Sequence, residues 1–320
     1  MPVISRRAAA EMYAFADVAR RQLPVSGDVM RRFVEELEQG GPLSQVLDGH
    51  PDRESPLFYL RALAGVHWLL IKGMVPSLAT HLVALDVASD DRRNAERTWA
   101  LWRAALLEHP SHIRGALDRP VQQHQPGRAG ALLTGLGMLP APGRIRLLEI
   151  GACAGLNLLF DKYRWFGRGW QWGDRDSPVR IATSGGHPGA PVVVQRAGCD
   201  LAPRDPSNPD DADILRSFIP YERHMDLMEL DDALALAAAS DLRIDQAEAH
   251  DWLASELGTV GPFDCTVVWH SMFWCHLEPA HQRAVEQLLS DAGRRTRIVR
   301  IGLEPFEWSM PSRLQVISYS

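Results

Sequence analysis

The sequence predicts an α/β protein with a Rossmann-like, mostly parallel sheet in its C-terminal part and an all-α N-terminal part. Residues 5–138 carry apolar residues at helical spacing and contain no convincing strand. After residue 139, short β-prone apolar runs alternate with helical stretches, which is typical of parallel strands joined by helices. We therefore predict a helical cap domain at residues 1–138 and a sheet domain at residues 139–320.

The composition of the 320 residues narrows the classes of partner. The formal net charge is −6 and no basic run is present, so a protein that follows nucleic-acid phosphates is disfavoured. The most apolar stretch, residues 60–75, contains Arg61, His67 and Lys72 and is too charged to span a bilayer. The four cysteines lack C-x-x-C spacing, as expected in a reducing compartment. We expect a cytoplasmic protein with a small-molecule substrate and with no nucleic-acid or membrane partner.

Three large side chains of the helical part are interpreted as core residues. His67 shares an apolar helix face with Leu63 and Leu70, which is typical of a histidine packed in a core. Trp99 and Trp102 lie at helical spacing on another amphipathic helix and are expected to pack inside.

A strand, a glycine turn and a helix start predict the cofactor site. Residues 144–150 form a short apolar run of the kind that is buried on both faces of a parallel sheet. A turn with glycine at both corners, Gly151 and Gly155, follows, and a helical run begins at Leu156. Glycine permits a left-handed backbone and the close approach of a ligand, while the N–H groups at a helix start attract anions. With Glu149 at the strand end, this arrangement indicates a nucleotide-type cofactor cradle, which a side chain at Gly151 is expected to block.

The spacing of the turn favours S-adenosylmethionine (SAM) over a dinucleotide. In the dinucleotide fingerprint G-x-G-x-x-G, Cys153 and Leu156 would occupy the second and third glycine positions. The acid-hydrophobe-Gly-x-x-x-Gly spacing resembles instead the first motif of Rossmann-like SAM-dependent methyltransferases, in which the acidic residue sits near the cationic methionine end. An ordinary strand–turn–helix corner remains the alternative.

Acidic residues at the ends of the next two strands complete the predicted cofactor site. Asp200 ends an apolar run that follows an inserted strand or hairpin at residues 170–184, and its carboxylate suits two ribose hydroxyls. A turn-forming aspartate is the alternative. Glu248 lies in a short third strand, residues 247–249, and is the candidate for the adenine amino group. The predicted cofactor-binding residues are Glu149, Gly151, Ala152, Cys153, Gly155, Asn157, Asp200, Glu248 and Ala249.

Polar residues after the fourth and fifth strands are the candidates for catalysis. A clear strand at residues 263–269 runs into His270, whose ordinary pKa lies near neutrality, so that it suits proton removal from an acceptor. A strand-capping histidine is the alternative. Ser271 and His276 are expected to orient His270 or the substrate, and Glu304 follows the last core strand. The predicted catalytic residues are His270, Ser271, His276 and Glu304.

A polar segment precedes the predicted sheet domain. Gln122, Gln123, His124 and Gln125 are consecutive hydrogen-bonding side chains, which are costly to place unless they are exposed or paired with a ligand. Together with Arg128 they are the predicted acceptor-binding residues, and a solvated linker is the alternative.

Seven segments, spread over nearly the whole chain, carry a resemblance to a known family. They are SPLFYLRALAG (55–65), RPVQQHQPGRAGALL (119–133), LLEIGACAGLNLLFDKY (147–163), DSPVRI (176–181), RAGCDLAPRD (196–205), WHSMFWCHLEP (269–279) and RIGLEP (300–305). The pattern resembles a bacterial family catalogued as domain of unknown function 2332, with a helical N-terminal part and a class I SAM-methyltransferase-like C-terminal part. Its members usually carry threonine, asparagine and glutamate in place of Gln123, His124 and Gln125, which implies a different substrate or lost activity here.

The resemblance and the strand-end residues imply a SAM-dependent methyltransferase for a small polar or heteroaromatic metabolite, with the acceptor enclosed by the helical cap. Methyl transfer from a sulfonium needs alignment and the exclusion of water more than covalent help. Two alternatives stay open, namely a SAM-fold binding or regulatory protein without catalysis, and a metal-dependent enzyme that uses His270, Cys275, His276 and His281. The metal alternative is the weaker, because no carboxylate shares the spacing of those residues.

Overall fold

The chain forms two compact units, each of which is discontinuous in sequence. The computed structural model describes residues 4–47, 49–55, 57–85, 92–259, 261–305 and 311–319, so that Pro56 of the first segment quoted above lies outside the described residues. Unit 1 comprises Met1–Gln123 and Asp213–Leu227, and unit 2 comprises His124–Ala212 and Met228–Ser320. The predicted domain boundary after residue 138 stays a prediction, because compact units defined by contacts are not the same as independently folding domains.

Unit 1 is built from helices and loops in its described residues. Its N-terminal helices are α1 (Arg6–Arg20), α2 (Pro24–Gln39), α3 (Leu43–Leu47), α4 (Phe58–Ile71), α5 (Pro76–Val83), α6 (Arg92–Glu108) and α7 (Pro110–Leu117). Prolines open α2, α5 and α7, where the missing N–H would have no intrahelical partner. Trp102 is 1 % exposed and Trp99 packs against the same apolar core, which confirms both as core residues. Among the described residues, no single helix is long and apolar enough to cross a membrane, and α4 with α5 reaches that length only across a bend of 93°.

Unit 2 contains a six-stranded sheet, a second sheet of three strands, and helices. Its elements, some of which extend into unit 1, are α8 (Ala129–Gly137), β1 (Arg144–Ile150), β2 (Arg164–Gly167), β3 (Trp170–Gly173), β4 (Arg180–Ala182), β5 (Val192–Asp200), α9 (Pro209–Ser217), α10 (His224–Ala238), β6 (Ile244–Gln246), α11 (Ala249–Leu257), β7 (Cys265–Ser271), α12 (Pro279–Gly293), β8 (Ile298–Pro305) and β9 (Ser312–Tyr319). The predicted hairpin is part of the smaller sheet, in which β2 pairs antiparallel with β3 and parallel with β4.

The order of the main sheet is β6-β5-β1-β7-β8-β9, with only β9 antiparallel to its neighbour. The predicted α/β fold with a mostly parallel, Rossmann-like sheet is therefore confirmed. Strand β1 lies between β5 and β7, so that the strand order reverses at β1. In open α/β sheets, ligands bind outside the carboxyl ends of the strands at such a reversal. This rule directs attention to Glu149 and to the turn that follows β1.

The segment after the glycine turn corrects one prediction. In place of the expected α-helix, Leu156–Lys162 is a short 3-10 helix that leads directly into β2. Its carbonyls accept hydrogen bonds from side chains: Tyr163 Oη donates to Leu156 O, Arg196 to Leu158 O, and Trp165 Nε1 to Phe160 O. These side-chain donors compete with backbone N–H groups for the carbonyls, and the chain continues as β2 at Arg164 instead of as a helix. A long helix with its dipole is therefore absent from the predicted cradle.

Two strand boundaries also differ from the predictions. The third strand is β6, and residues 247–249 come after it, because Ala249 already begins α11. The fourth strand extends through Ser271, so that His270 lies inside β7 and not beyond it. The pairing of β7 with β8 continues to Ser271, which lies opposite Leu303. The strand is therefore longer than its apolar run.

Candidate active site

The turn after β1 is tightly wound and is tied to the end of β5. Gly151, Cys153 and Gly155 all have left-handed backbones, with φ of 70°, 51° and 70°. Cys153, which occupies a position where glycine would be easier, has its N–H bonded to Asp200 Oδ2 at 2.9 Å. Its carbonyl accepts a hydrogen bond from the N–H of Arg204 at 3.2 Å. These two bonds account for the strained conformation of a residue other than glycine.

Asp200 is a structural anchor of the turn. Its second oxygen, Oδ1, accepts a hydrogen bond from the N–H of Ala202 at 2.9 Å. The carboxylate therefore joins the turn after β1 to the loop after β5. A carboxylate offers about four lone-pair sites, so that each oxygen of Asp200 keeps one for a ligand hydroxyl.

The aromatic ring of Phe273 covers Gly151. A Cβ atom built on Gly151 would overlap Cδ2 of Phe273. We expect a side chain at Gly151 to block the cofactor in a protein that still folds, and the structure adds that the first atoms such a side chain meets belong to Phe273.

We expect Gly151→Ala to lower the free energy of unfolding by more than the about 1–2 kcal/mol that a left-handed backbone costs an L-residue. The excess comes from the clash with Phe273, so Phe273→Ala should remove it and leave only the backbone cost. Urea unfolding of both single variants and of the double variant measures this coupling. Additive costs in the double variant would show that Phe273 does not press on Gly151.

Glu149 lies buried at the carboxyl end of β1, 1 % exposed, beside Asn157. Nδ2 of Asn157 donates to Glu149 Oε1 at 3.1 Å. Burial raises the pKa of Glu149 to about 8, although Asn157 and the nearby Trp269 indole oppose that rise. Glu149 Oε2 and Asn157 Oδ1 are both buried without a well-formed hydrogen bond. Two buried side-chain oxygens at the predicted cofactor turn thus have no hydrogen-bond partner, which is costly unless a ligand provides one.

His270 and Glu304 form a buried pair at the carboxyl ends of β7 and β8. His270 Nδ1 lies 2.6 Å from Glu304 Oε1, and His270 Nε2 lies 3.1 Å from a guanidinium nitrogen of Arg300. Since the guanidinium can only donate, Nε2 is the acceptor and Nδ1–H donates to Glu304. Burial lowers the pKa of His270. Both ring nitrogens are therefore engaged, and proton removal by His270 would require release from Arg300.

Glu304 anchors the segment 272–276. Its carboxylate accepts hydrogen bonds from the N–H groups of Phe273 and Trp274 at 3.0 and 3.1 Å. Burial would raise the pKa of Glu304, but His270 and these two N–H groups bring it below its ordinary value. The guanidinium carbon of Arg300 lies 4.2 Å from the centroid of the Trp274 ring, so a cation–π contact also holds this segment. The structure thus brings together two of the predicted catalytic residues, His270 and Glu304, in a network that holds this segment.

The remaining predicted catalytic and adenine-binding residues are less enclosed. Ser271 is half-buried at the end of β7, and His276 is exposed in the short 3-10 helix Trp274–His276. Glu248 is exposed at the N-cap of α11, and Ala249 is buried as its first helical residue.

The predicted acceptor-binding segment divides between the two units. Gln122 and Gln123 belong to unit 1, whereas His124, Gln125 and Arg128 belong to unit 2. Burial lowers the pKa of Arg128 to about 10, against the attraction of Glu304, Cys153, Cys275 and Glu149. Arg128 is thus a buried cation within electrostatic reach of Glu304 and Glu149.

His124 of the same segment is also buried. It is 5 % exposed, its Nε2 has no hydrogen-bond partner, and burial together with Arg128 lowers its pKa to about 3. The imidazole of His124 is therefore neutral at physiological pH, and one of its nitrogens is buried without a partner.

Sequence reasoning missed Arg300 and Phe273. The sequence does carry a signal for Arg300, namely a charged residue inside the apolar run Ile298–Pro305. Burying such a residue is costly unless neighbouring side chains pair with its charge. For Phe273 no local signal exists, since its contact with Gly151 depends on how the segment 272–276 folds back. In the part of the chain that the structure describes, no three histidine, cysteine or acidic side chains lie together as a metal site.

Comparison with known proteins finds a family and no individual relative. A bacterial family described as uncharacterized protein conserved in bacteria, DUF2332, matches residues 9–317. No curated protein and no solved structure matches the chain.

Proposed function

The chain belongs to the uncharacterized bacterial family DUF2332, and we propose that it is a SAM-dependent methyltransferase for a small polar or heteroaromatic metabolite. The observation that carries this proposal is the buried pair of Glu149 and Asn157, in which two oxygens have no hydrogen-bond partner, beside a left-handed glycine turn. The pair lies where the strand order of the sheet reverses. Enclosure of the acceptor by residues 1–138 stays a prediction.

The chemistry of the Glu149–Asn157 pair fits the methionine end of SAM. That end carries an ammonium group with N–H donors and a sulfonium, and both are cations. A cation beside Glu149 favours its ionised form and lowers the raised pKa again. The ammonium would also supply the hydrogen bonds that Glu149 Oε2 and Asn157 Oδ1 lack. A neutral or anionic ligand would not favour the ionised form of this buried acid.

The rest of the turn supports SAM more than a dinucleotide. Asp200 keeps lone pairs for ribose hydroxyls after binding Cys153 and Ala202. A dinucleotide pyrophosphate would need the N-terminus of a helix, and a 3-10 helix of seven residues follows the turn. The sixth strand, β9, is antiparallel, unlike the sixth strand of the doubly wound dinucleotide fold.

The residues of the site would each do a separate task in methyl transfer. When bound, SAM supplies an electrophilic methyl group on a sulfonium. Glu149 and Asn157 hold the cationic end, and Asp200 fixes the turn. Arg128 would orient the methyl acceptor through its guanidinium, and His124 would do so through its neutral imidazole. The Glu304–His270–Arg300 network holds the aromatic segment 272–276 in place, and this segment excludes water.

One observation favours the alternative of a SAM-binding protein without catalysis. His270 and Glu304 are hydrogen-bonded to each other, and the remaining ring nitrogen of His270 is bonded to Arg300. An acceptor that must lose a proton therefore finds no uncommitted base in this pair. Tight SAM binding with no turnover on any tested metabolite would favour that alternative.

The proposal is tested by calorimetry with S-adenosylhomocysteine, which keeps the ammonium group of SAM. We expect binding to the wild type and a loss of about tenfold in affinity for Asn157→Ala, the value of roughly one hydrogen bond to a charged group. Asn94→Ala, on α6 of unit 1, is the control and should bind like the wild type. Absence of binding to the wild type would overturn the proposal.

A further inference from the structure

The smaller sheet of unit 2 buries one of its faces and leaves the other accessible to solvent. Side chains alternate between the two faces along each strand. Trp165 on β2 and Ile181 on β4 are 0 % and 2 % exposed, so they lie on the buried face. Their neighbours Arg164, Phe166 and Arg180 therefore lie on the opposite face, the outer face, where Arg164 and Phe166 are half-buried and Arg180 is exposed. None of these three residues belongs to the candidate active site.

Two arginines lie side by side on the outer face. In the parallel pairing of β2 with β4, Arg164 is the register partner of Arg180, and paired strands lie only about 4.8 Å apart. Like charges directly opposite each other on neighbouring strands are destabilising. In the described part of the chain, neither guanidinium has a carboxylate within ion-pair distance. The fold thus keeps two adjacent positive charges that no described acid neutralises.

The ring of Phe166 holds both guanidiniums at one place. The guanidinium carbon lies 5.7 Å from the ring centroid for Arg164 and 5.2 Å for Arg180, which is within the range of a cation–π contact. Arg164 also donates to the carbonyl of Gly173 at 3.4 Å and to the side-chain oxygen of Gln171. A guanidinium offers more N–H donors than these two bonds use. The two cations are therefore positioned before a ligand arrives, which reduces the entropy cost of binding.

Two neighbouring guanidiniums match a phosphate monoester better than a carboxylate. One guanidinium is enough to bind a carboxylate through two parallel hydrogen bonds. A phosphate monoester carries a charge of about −1.5 to −2 at pH 7 and presents three acceptor oxygens. It can therefore neutralise both arginines and accept hydrogen bonds from each of them.

The size of the outer face favours a small carrier of the phosphate. The three strands of this sheet have four, four and three residues, which is short for the pairing or tracking of an extended polymer. A single-stranded nucleic acid is bound by successive aromatic side chains along a basic groove, whereas the ring between these two arginines is that of Phe166 alone.

We propose that the outer face of the smaller sheet binds the phosphate monoester of a small organic molecule, with Arg164 and Arg180 as the two cations that contact the phosphate. Phe166 holds the guanidiniums in place. The site binds the phosphate without breaking a bond. It shares no residue with the candidate active site, so it does not rest on the proposed methyltransferase function.

The first test is calorimetry of the full chain with phenyl phosphate and with benzenesulfonate, which places a single negative charge on the same ring. We expect phenyl phosphate to bind in the millimolar range or tighter, and benzenesulfonate to bind at least about tenfold more weakly. Equal affinity for the two probes, or no binding of phenyl phosphate at millimolar concentration, would overturn the proposal.

Arginine resonances locate the bound phosphate. In the full chain labelled with ¹⁵N-arginine, phenyl phosphate should shift the Nε–H resonances of Arg164 and Arg180. The resonance of Arg283, an exposed arginine on α12, should stay unchanged. Shifts that are confined to arginines other than Arg164 and Arg180 would contradict the assigned site.

Three variants separate the role of Arg180 from a general effect of charge. Arg180→Gln should weaken phenyl phosphate binding by about tenfold, because one of the two charge-assisted contacts is lost. Arg180→Lys keeps the charge but loses the planar fork, so we expect a smaller loss. Arg283→Gln is the matched control and should bind within about threefold of the wild type, because distant exposed charges are screened. Arg180→Gln that binds phenyl phosphate as tightly as the wild type would contradict the proposal.

Discussion

Replacing Glu149 by glutamine should make the ligand-free protein more stable at neutral pH. Glutamine resembles the protonated acid, whereas the wild-type carboxyl is protonated in the folded chain and ionised in the unfolded chain between the ordinary pKa of 4.5 and about 8. In this window the unfolded state binds fewer protons than the folded state. The free energy of unfolding of the wild type therefore falls by about 1.4 kcal/mol per pH unit as the pH rises. The expected gain for Glu149→Gln is on the order of 3 kcal/mol at pH 7.

The measurement is urea unfolding of both proteins from pH 4 to pH 9. The difference in free energy of unfolding should grow with pH through the window and level off above pH 8. Asp213→Asn is a control of opposite sign: burial alone would raise the pKa of Asp213, but Lys72 and Arg216 lower it. Its carboxylate stabilises the fold at neutral pH and loses that effect as the pH falls. A difference for Glu149→Gln that does not vary with pH would contradict the raised pKa.

The same variant should lose affinity for the cofactor. Binding of an ammonium group next to Glu149 requires ionisation, so the wild type should release a proton when it binds S-adenosylhomocysteine near pH 7. Calorimetry in two buffers of different ionisation enthalpy measures that proton. Glu149→Gln should bind at least about tenfold more weakly at pH 8 and release none. Stability gained together with affinity lost would identify Glu149 as a residue kept for binding.

Replacing Arg300 by methionine should destabilise unit 2 by about 2–4 kcal/mol. Arg300 is 3 % exposed and bonds His270 on one side and Glu286 at 2.7 Å on the other. Methionine keeps much of the volume but leaves the His270 Nε2 acceptor unpaired in the interior. This expected loss of stability is smaller than the loss for a fully buried ion pair, because the Glu286 side chain is 38 % exposed and water can hydrate it.

Hydrogen exchange shows whether this loss reaches the candidate site. The N–H groups of Phe273 and Trp274 bond to Glu304, whose partner His270 is held by Arg300. Their protection should fall more than that of the central amides of β1. Arg294→Met, at a side chain that is 71 % exposed, is the matched control and should change stability by less than about 0.5 kcal/mol. Unchanged protection at Phe273 and Trp274 in Arg300→Met would show that the network does not support the segment.

Local patterns were sufficient to predict the sheet and the glycine turn. The apolar run of β1 and the two glycines each carry their information within a few residues, and the structure has them as predicted. The 3-10 helix after the turn could not be predicted in the same way. One of the side chains that capture its carbonyls, Arg196, lies 38 positions away from Leu158, and no helical spacing reveals such a donor.

The candidate site was predicted by residue type more than by role. Strand-end position identified Glu149, Asp200, His270 and Glu304, all of which lie at the carboxyl end of the sheet. Their partners were not visible in the sequence, because an ion pair or an anchoring hydrogen bond depends on neighbouring strands. His270 is an example: its bond to Arg300 joins β7 to β8 across 30 positions of sequence.

The division of unit 1 into two stretches affects the order in which the chain can fold. The bond of His67 to Ser217 closes a loop of 150 positions, and that of Ser26 to Glu222 closes one of 196. During synthesis, helices α1 to α7 emerge long before residues 213–227, and β1 to β5 emerge in between. Contacts between such distant residues form slowly. A fragment that ends at residue 138 would therefore contain α1 to α7 and still lack the segment whose Ser217 carbonyl bonds to His67.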